Sequence, residues 1–204
     1  MNYGELKTYL RNLINRTDIT DPLVVQFITQ SKVRIERRLR LSTMSHLVDF
    51  KLDGTTGNWK LPPDYLELID LYTDGGELER VDTSKYLRTL GSVGIPQVFV
   101  QTGAAIRMRP IPSADTSIYL NYYRSLPDLV LDEDQNLWSS AAVDCLIYGA
   151  AEVAGDYYED ERLQRYAAKF EATLAELENQ QTLEDFSGPM RVQPAYSYPS
   201  EDNY

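Results

Sequence analysis

The sequence predicts an α+β fold: a helical bundle built from N- and C-terminal helices, a central antiparallel β insertion, and an extended C-terminal tail. Three observations predict it. Apolar residues recur at helical spacing in the first forty residues and again from Asn136 onwards. Between these ends lie short β-prone runs punctuated by Gly, Pro, Asp and Asn. Past Glu184 all periodicity stops. The parts are expected at 1–45 (helical hairpin), 46–131 (β-rich insertion), 132–183 (helices completing the bundle) and 184–204 (tail). No internal repeat is visible.

In the first element Leu6, Leu10, Leu13 and Ile14 share a helical face. Thr17 to Pro22 supplies a turn, a capping Thr20 or Asp21, and a proline suited to the first helical position. The second helix should run from about Pro22 to Leu41 with a stripe of Val24, Phe27, Ile28, Ile35 and Leu39. Its far end carries Lys32, Arg34, Arg37, Arg38 and Arg40, which complement the helix dipole. Leu47, Val48, Phe50 and Leu52 read as a strand leading to a turn at Asp53–Asn58. Trp59 and Leu61 resume a strand that Pro62-Pro63 interrupts. Tyr65–Tyr72 is β-prone, Asp74-Gly75-Gly76 is a tight turn, and Glu77–Val81 reads as one return strand. Asp82 opens a brief helix reaching about Leu90.

Ile95 to Leu129 reads as three short strands with two turns, ending in Tyr122-Tyr123 and a proline stop, and none of its residues is a plausible catalyst. From Asn136, one face of a helix rich in small residues holds Trp138, Ala141, Ala142, Cys145, Leu146, Gly149 and Val153, with Gly155 as its breaker. Leu163, Tyr166, Phe170, Leu174 and Leu177 define the last helix.

Composition narrows the function. A net charge of −11 argues against a nucleic-acid coat, because phosphate binding needs a basic surface. Hydrophobic residues at 43% are too many for a disordered chain. One cysteine, Cys145, rules out an internal disulfide and points to a reducing origin. The start shows neither a basic n-region nor an apolar h-region, and no apolar run approaches the ~18–20 residues of a membrane span. A soluble, intracellularly made protein without membrane contact is expected. Charge is uneven: residues 1–41 hold eight Lys/Arg against four acids, whereas residues 127–185 hold three against fifteen. The two ends therefore attract each other or complementary neighbours.

Reaction chemistry is hard to find. His46 is the sole histidine, so a Cys–His dyad would need it to meet Cys145, which the helical pattern places on an apolar face. No GxSxG, HExxH or CxxC occurs. Gly54–Lys60 has the wrong spacing for a phosphate loop, with no helix after it. Asp132–Asn136 begins like a calcium loop, but its glycine is missing and Val143 stands where the bidentate Glu belongs, so an acidic helix entry explains it better. Asp156, Glu159, Asp160 and Glu161 read as a solvated helix start. No pair among the many carboxylates is marked as special. No cofactor and no metal is expected. The basic cluster Lys32, Arg34, Arg37, Arg38 and Arg40 is spread around its helix without aromatic interleaving, so inter-subunit salt bridges with the acidic C-terminal helices compete with DNA contact. In the tail, Phe186, Met190, Val192, Tyr196, Tyr198 and Tyr204 read as anchors on a partner, the alternative being a flexible end.

Several segments, in order and spacing, carry a family likeness over most of residues 1–180. They are Tyr3-Gly4-Glu5-Leu6, the Arg16-Thr17-Asp18 turn, Ile35-Glu36-Arg37-Arg38-Leu39-Arg40, and Leu61-Pro62-Pro63-Asp64-Tyr65-Leu66-Glu67-Leu68. Further on come Ile95-Pro96, Gly103, Arg107-Met108-Arg109-Pro110, Tyr122-Tyr123 and Leu126-Pro127. Together they resemble the head-to-tail adaptor (connector) proteins of tailed bacteriophages. The resemblance implies a non-enzymatic virion protein of the neck, made in the host cytoplasm. It implies a self-assembled ring, commonly twelve-fold, beneath the portal protein, with its bundle against the portal and its β portion facing tail or nozzle proteins. Double-stranded DNA would pass through the bore, and the C-terminal extension would reach a neighbouring ring. The rival readings are a tail-completion (stopper) component, a carboxylate-based peptidoglycan hydrolase and a lone cytoplasmic binding module. No catalytic motif carries over from those relatives credited with peptidoglycan hydrolysis.

Overall fold

The structure, a computed structural model, describes residues 1–51, 57–89, 91–113 and 116–182 in full and the backbone of 183–186. It is mixed α+β, 45% helix and 25% strand, as the sequence predicts. The helices are α1 (Tyr3–Ile14), α2 (Asp21–Arg38), α3 (Thr83–Arg88), α4 (Leu137–Ser140), α5 (Val143–Tyr157) and α6 (Leu163–Phe186). The strands are β1 (Ser45–Lys51), β2 (Asn58–Lys60), β3 (Tyr65–Thr73), β4 (Gly76–Glu77), β5 (Glu79–Arg80), β6 (Val98–Thr102), β7 (Ala105–Arg109) and β8 (Ser117–Arg124).

α1 starts in a reciprocal cap: Asn2 Oδ1 accepts from Glu5 N at 2.8 Å, and Glu5 Oε2 accepts from Asn2 N at 3.0 Å. Its buried face is Tyr3, Leu6, Leu10 and Ile14. α2 buries the predicted stripe but stops at Arg38 rather than Leu41. Leu39 turns extended, and the Arg40 guanidinium returns to donate to the carbonyls of Glu36 and Leu39, satisfying helix-end acceptors.

α5 is the hub of the bundle, packed against α1, α2, α4 and α6. Its length is buried through Cys145, Leu146, Ile147, Gly149, Ala150, Ala151 and Ala154. Gly149 is what lets three helices meet: a Cβ there would lie 2.3 Å from Ser31 Oγ on α2 and 2.8 Å from the Phe170 ring on α6. Ser31 Oγ in turn donates to Leu146 O at 2.8 Å. Gly155 does not break the helix, contrary to the sequence expectation. The helix runs on to Tyr157 with Gly155 buried in it, where a Cβ would make ordinary van der Waals contact with Leu163 and Tyr166 at 3.5 Å. The reversal is made by Glu159, at φ 52°. The break falls earlier, at Ala141-Ala142 between α4 and α5, so the small-residue face is not one continuous helix. α6 extends two residues past Glu184, where the periodicity ends.

The β segment is a two-sheet sandwich of order β1-β8-β3-β4 and β2-β7-β6-β5. The pairs are antiparallel except β5–β6, which is parallel. Leu71, Ile118, Leu120 and Tyr122 from the first sheet face Phe99, Ile106 and Met108 from the second. Phe50 stacks on Trp59 across the gap, with centroids 3.9 Å apart and an interplanar angle of 11°. The three strands predicted in Ile95–Leu129 are present but do not form one layer. β6 and β7 make a hairpin through Gly103 (φ 59°), whereas β8 is the second strand of the other sheet. The single return strand expected over Glu77–Val81 is likewise divided. Buried Leu78 drops between the sheets, leaving β4 on one and β5 on the other. α3 forms as predicted, capped by Asp82 Oδ1 on Lys85 N at 2.7 Å.

Candidate functional site

The polar chemistry of the chain concentrates where bundle and sandwich join. Glu36, on α2, is only 4% exposed. Its Oε1 accepts from Leu126 N at 3.0 Å and from Trp138 Nε1 at 3.1 Å, and its Oε2 accepts from Ser125 Oγ at 2.8 Å. Lys32, one turn back, stands 4.0 Å from the same carboxylate, donates to Leu126 O, and pairs with Asp128 at 2.5 Å. The carboxylate thus fastens α2 to the chain as it leaves β8 and to the first turn of α4. A buried charge persists only with such complete satisfaction. Sequence reading missed this latch, because Glu36 sits in a run of cations and looks solvated. The signal was present: Ser31, Lys32 and Glu36 continue the spacing of Val24, Phe27, Ile28 and Ile35 into the buried face.

The rest of the basic cluster is mostly paired within the chain. Arg34 meets Glu152 at 3.1 Å. Arg38 holds Glu171 at 2.7 Å and Glu178 at 3.4 Å. Arg40 pairs with Glu67 on β3 at 2.8 Å, and Gln181 donates to its carbonyl. Arg37 is exposed and has no ion-pair partner among the described residues. Lys7, Lys32, Arg34 and Arg38 thus reach acids of the second half, so the two ends do attract each other.

The acidic loop before α4 does a different task from the helix entry expected of it. Asn136, not an acid, caps α4 through Ser139 N at 3.0 Å. Asp132 O and Asp134 O accept from Gly4 N and Tyr3 N at 2.9 and 3.0 Å, and Lys7 pairs with Asp132. The loop thus covers the start of α1. Hydrogen bonds from Leu131 N and Val130 N hold the Asp134 carboxyl below its ordinary range. In the α5–α6 turn, Asp160 binds Arg162 at 2.7 Å and is lowered to about 2 by that bond first, then by Arg162 N. Arg162 also donates to Ile14 O at 2.6 Å and Leu13 O at 3.3 Å, a cation at the C-terminus of α1.

The remaining candidates are dispersed. His46 lies on β1, edge-on to Tyr122 at 5.8 Å. Cys145 is wholly buried in the helical core, and burial pushes its thiol up to about 11. Among the described residues no three His, Cys, Asp or Glu side chains are grouped to hold a metal. No described helix is long and apolar enough to cross a membrane. Part of the Gly54–Lys60 turn lies outside the described residues, and the chain leaves that turn as strand β2 rather than as a helix. Of the tail anchors, Phe186 closes α6 as backbone, while Met190, Val192, Tyr196, Tyr198 and Tyr204 lie outside the described residues.

Most of these polar groups are engaged in holding the chain's own elements together. A family model described as SU10 adaptor protein matches residues 1–193. The chain belongs to the SU10 adaptor protein family, a phage head-to-tail adaptor family. No curated protein matches it. As a phage adaptor it is a structural protein of the virion that associates with other neck components. Such an adaptor works through its surfaces. Leu87, Val93 and Ile95 are each more than 60% exposed around α3 and the approach to β6, and Val130 stands equally open in the loop over α1.

Proposed function

We propose that this adaptor forms a non-catalytic ring, twelve-fold as in the resemblance, between the portal and the tail or nozzle proteins, with double-stranded DNA passing through its bore. The observation that carries the reading is the family match over residues 1–193. The internal use of Glu36, Lys32, Arg38 and Arg162 supports it, because these groups fix a rigid block of bundle and sandwich instead of facing a substrate. The four parts at 1–45, 46–131, 132–183 and 184–204 act as a bundle toward the portal, a sandwich toward the tail, and a docking tail. Phe186, Met190, Val192, Tyr196, Tyr198 and Tyr204 anchor that tail on the portal, and twelve weak contacts made together give it strength. Arg37 is the member of the basic cluster left available to a neighbour or to DNA. The net charge of −11 keeps the bore from holding DNA.

The test is to mix the full chain with the portal protein of its phage and image the complex. Rings seated on the portal are expected, and a chain truncated after Asp185 should no longer dock. A full chain that never assembles on the portal ends the reading, and binding to tail proteins alone moves it lower in the neck.

A further inference from the structure

The two outer faces of the sandwich carry opposite charge. On the β1-β8-β3-β4 sheet, one row of paired residues crosses all four strands: Asp49 opposite Tyr119, Tyr119 opposite Tyr72, and Tyr72 opposite Glu77. These point away from the core, because their strand neighbours Ile118, Leu120 and Leu71 are buried inside the sandwich. The next row adds Asp70 and Leu47, both paired to Asn121, and Leu47 is 63% exposed. Among the described residues none of Asp49, Asp70 and Glu77 has a salt bridge, and Lys51 is the one cation in the rows of this face. Asp70, and after it Glu77, hold the Tyr72 phenol above its ordinary value, a field that no cation there cancels.

The outer face of the β2-β7-β6-β5 sheet is the reverse. Arg107 lies opposite Asn58 and Lys60 opposite Ala105, both cations are exposed, and neither has a carboxylate partner among the described residues. α3 lies on this same side, fastened by Arg109 Nη1 to the carbonyls of Tyr86, Leu87 and Thr89, and it carries exposed Arg88. Glu79, on the neighbouring strand β5, is already neutralised by Lys85 at 2.6 Å, and Asp82 caps α3.

We propose that the acidic face of one copy's sandwich packs against the basic face of the next copy, with Asp49, Asp70 and Glu77 meeting Lys60, Arg107 and Arg88. Opposite charge on opposite sides of one domain fits a second copy of this chain. Each copy then presents what its neighbour lacks, and the contact is head-to-tail, the kind that closes into a ring. Leu47 and Tyr72, exposed on the acidic face, supply apolar contact inside the charged pairing. The inference rests on the ring reading above and names its contact. The cations of α2 are mostly matched within the chain, whereas these are not.

The experiment is sedimentation velocity on the full chain over a concentration series at low and high salt, for four proteins. These are the natural chain, D70K/E77K, K60E/R107E, and all four changes combined. The natural chain should associate, less so at high salt. Each single-face variant should associate at least about tenfold more weakly, since like charges then face each other. The combined variant should recover, because complementarity is restored with its sides exchanged. All substitutions are on the surface, and unchanged circular dichroism and melting show that each variant is folded. Single-face variants that associate as well as the natural chain overturn this contact and leave the ring reading standing. A natural chain that is monomeric throughout also overturns it, while the ring reading is decided separately on the portal.

Discussion

The helical bundle and the β-sandwich treat charge in opposite ways. In the bundle, cations of the first forty residues find acids of the second half inside the same chain: Lys32 with Asp128, Arg34 with Glu152, Arg38 with Glu171 and Glu178. In the sandwich, Asp49, Asp70 and Glu77 on one face and Lys60 and Arg107 on the other have no such partners among the described residues. One region uses charge to hold itself together, and the other keeps it at its surface. A part of a larger assembly needs both, a block that does not deform and a face that still has something to bind.

The comparison breaks first at Glu36. Replacing it with Ala leaves the buried Trp138 Nε1 and Leu126 N without their acceptor, while Lys32 keeps only Leu126 O and Asp128. A loss of about 3–5 kcal/mol is expected from removing one member of a buried charged network. Urea unfolding followed by tryptophan fluorescence reads it, and a loss under ~1 kcal/mol would mean the junction is wet and the latch incidental. Gly149→Ala comes next. Its methyl would meet Ser31 Oγ and the Phe170 ring, so α2, α5 and α6 must separate slightly, at a cost of about 1–3 kcal/mol by the same measurement. Asp49→Asn on the sandwich face should leave unfolding unchanged, because no described ion pair within the chain depends on it.

Glu36 and Gly149 also mark what was legible in the sequence. The stripes of α1 and α2, the alternation of β1 and the strand at Tyr65–Thr73 are one-dimensional patterns, each where the spacing puts it. Of the small-residue face, Trp138, Ala142, Cys145, Leu146 and Gly149 are buried, but Ala141 is exposed where the helix breaks. The division of β4 from β5 at Leu78 was not legible, since a buried leucine between two short extended runs reads the same whether the chain stays in a sheet or crosses to another. Gly155 misled because a glycine near a helix end reads as a breaker, whereas here the helix continues through it to Tyr157. Glu36 was hidden by its neighbours: only the partners 89 and more residues away make a buried carboxylate tolerable, and spacing carries no record of them. The resemblance named the family that the match over residues 1–193 establishes, but not which surfaces act.

A smaller effect separates acid from neutral conditions. Asp160 sits at about 2 in the folded chain against an ordinary 3.8, held down by Arg162. A carboxyl lowered on folding stabilises above its unfolded value, and that contribution disappears as pH falls from about 4 to about 2. Asp160→Asn should therefore flatten the fall of melting temperature across that window and leave the curve's shape above about pH 5 unaltered. An unchanged acid limb would mean that Arg162 is held by the Leu13 and Ile14 carbonyls alone.

The smallest effect compares neighbours on α2. Arg38 bridges two glutamates of α6 but is nearly half exposed, so Arg38→Ala should cost no more than about 1 kcal/mol, the usual worth of a solvated ion pair. Arg37→Ala should cost nothing measurable in the isolated chain, since its guanidinium has no ion-pair partner among the described residues. The pair is informative because the two residues share a helix, a charge and an exposure, and differ in whether α6 lies within reach. If Arg37→Ala lowers unfolding stability as much as Arg38→Ala, charge along α2 acts through the helix dipole rather than through pairs. If instead it leaves stability untouched and weakens assembly on the portal, a cation that the bundle does not use is one that a neighbour does.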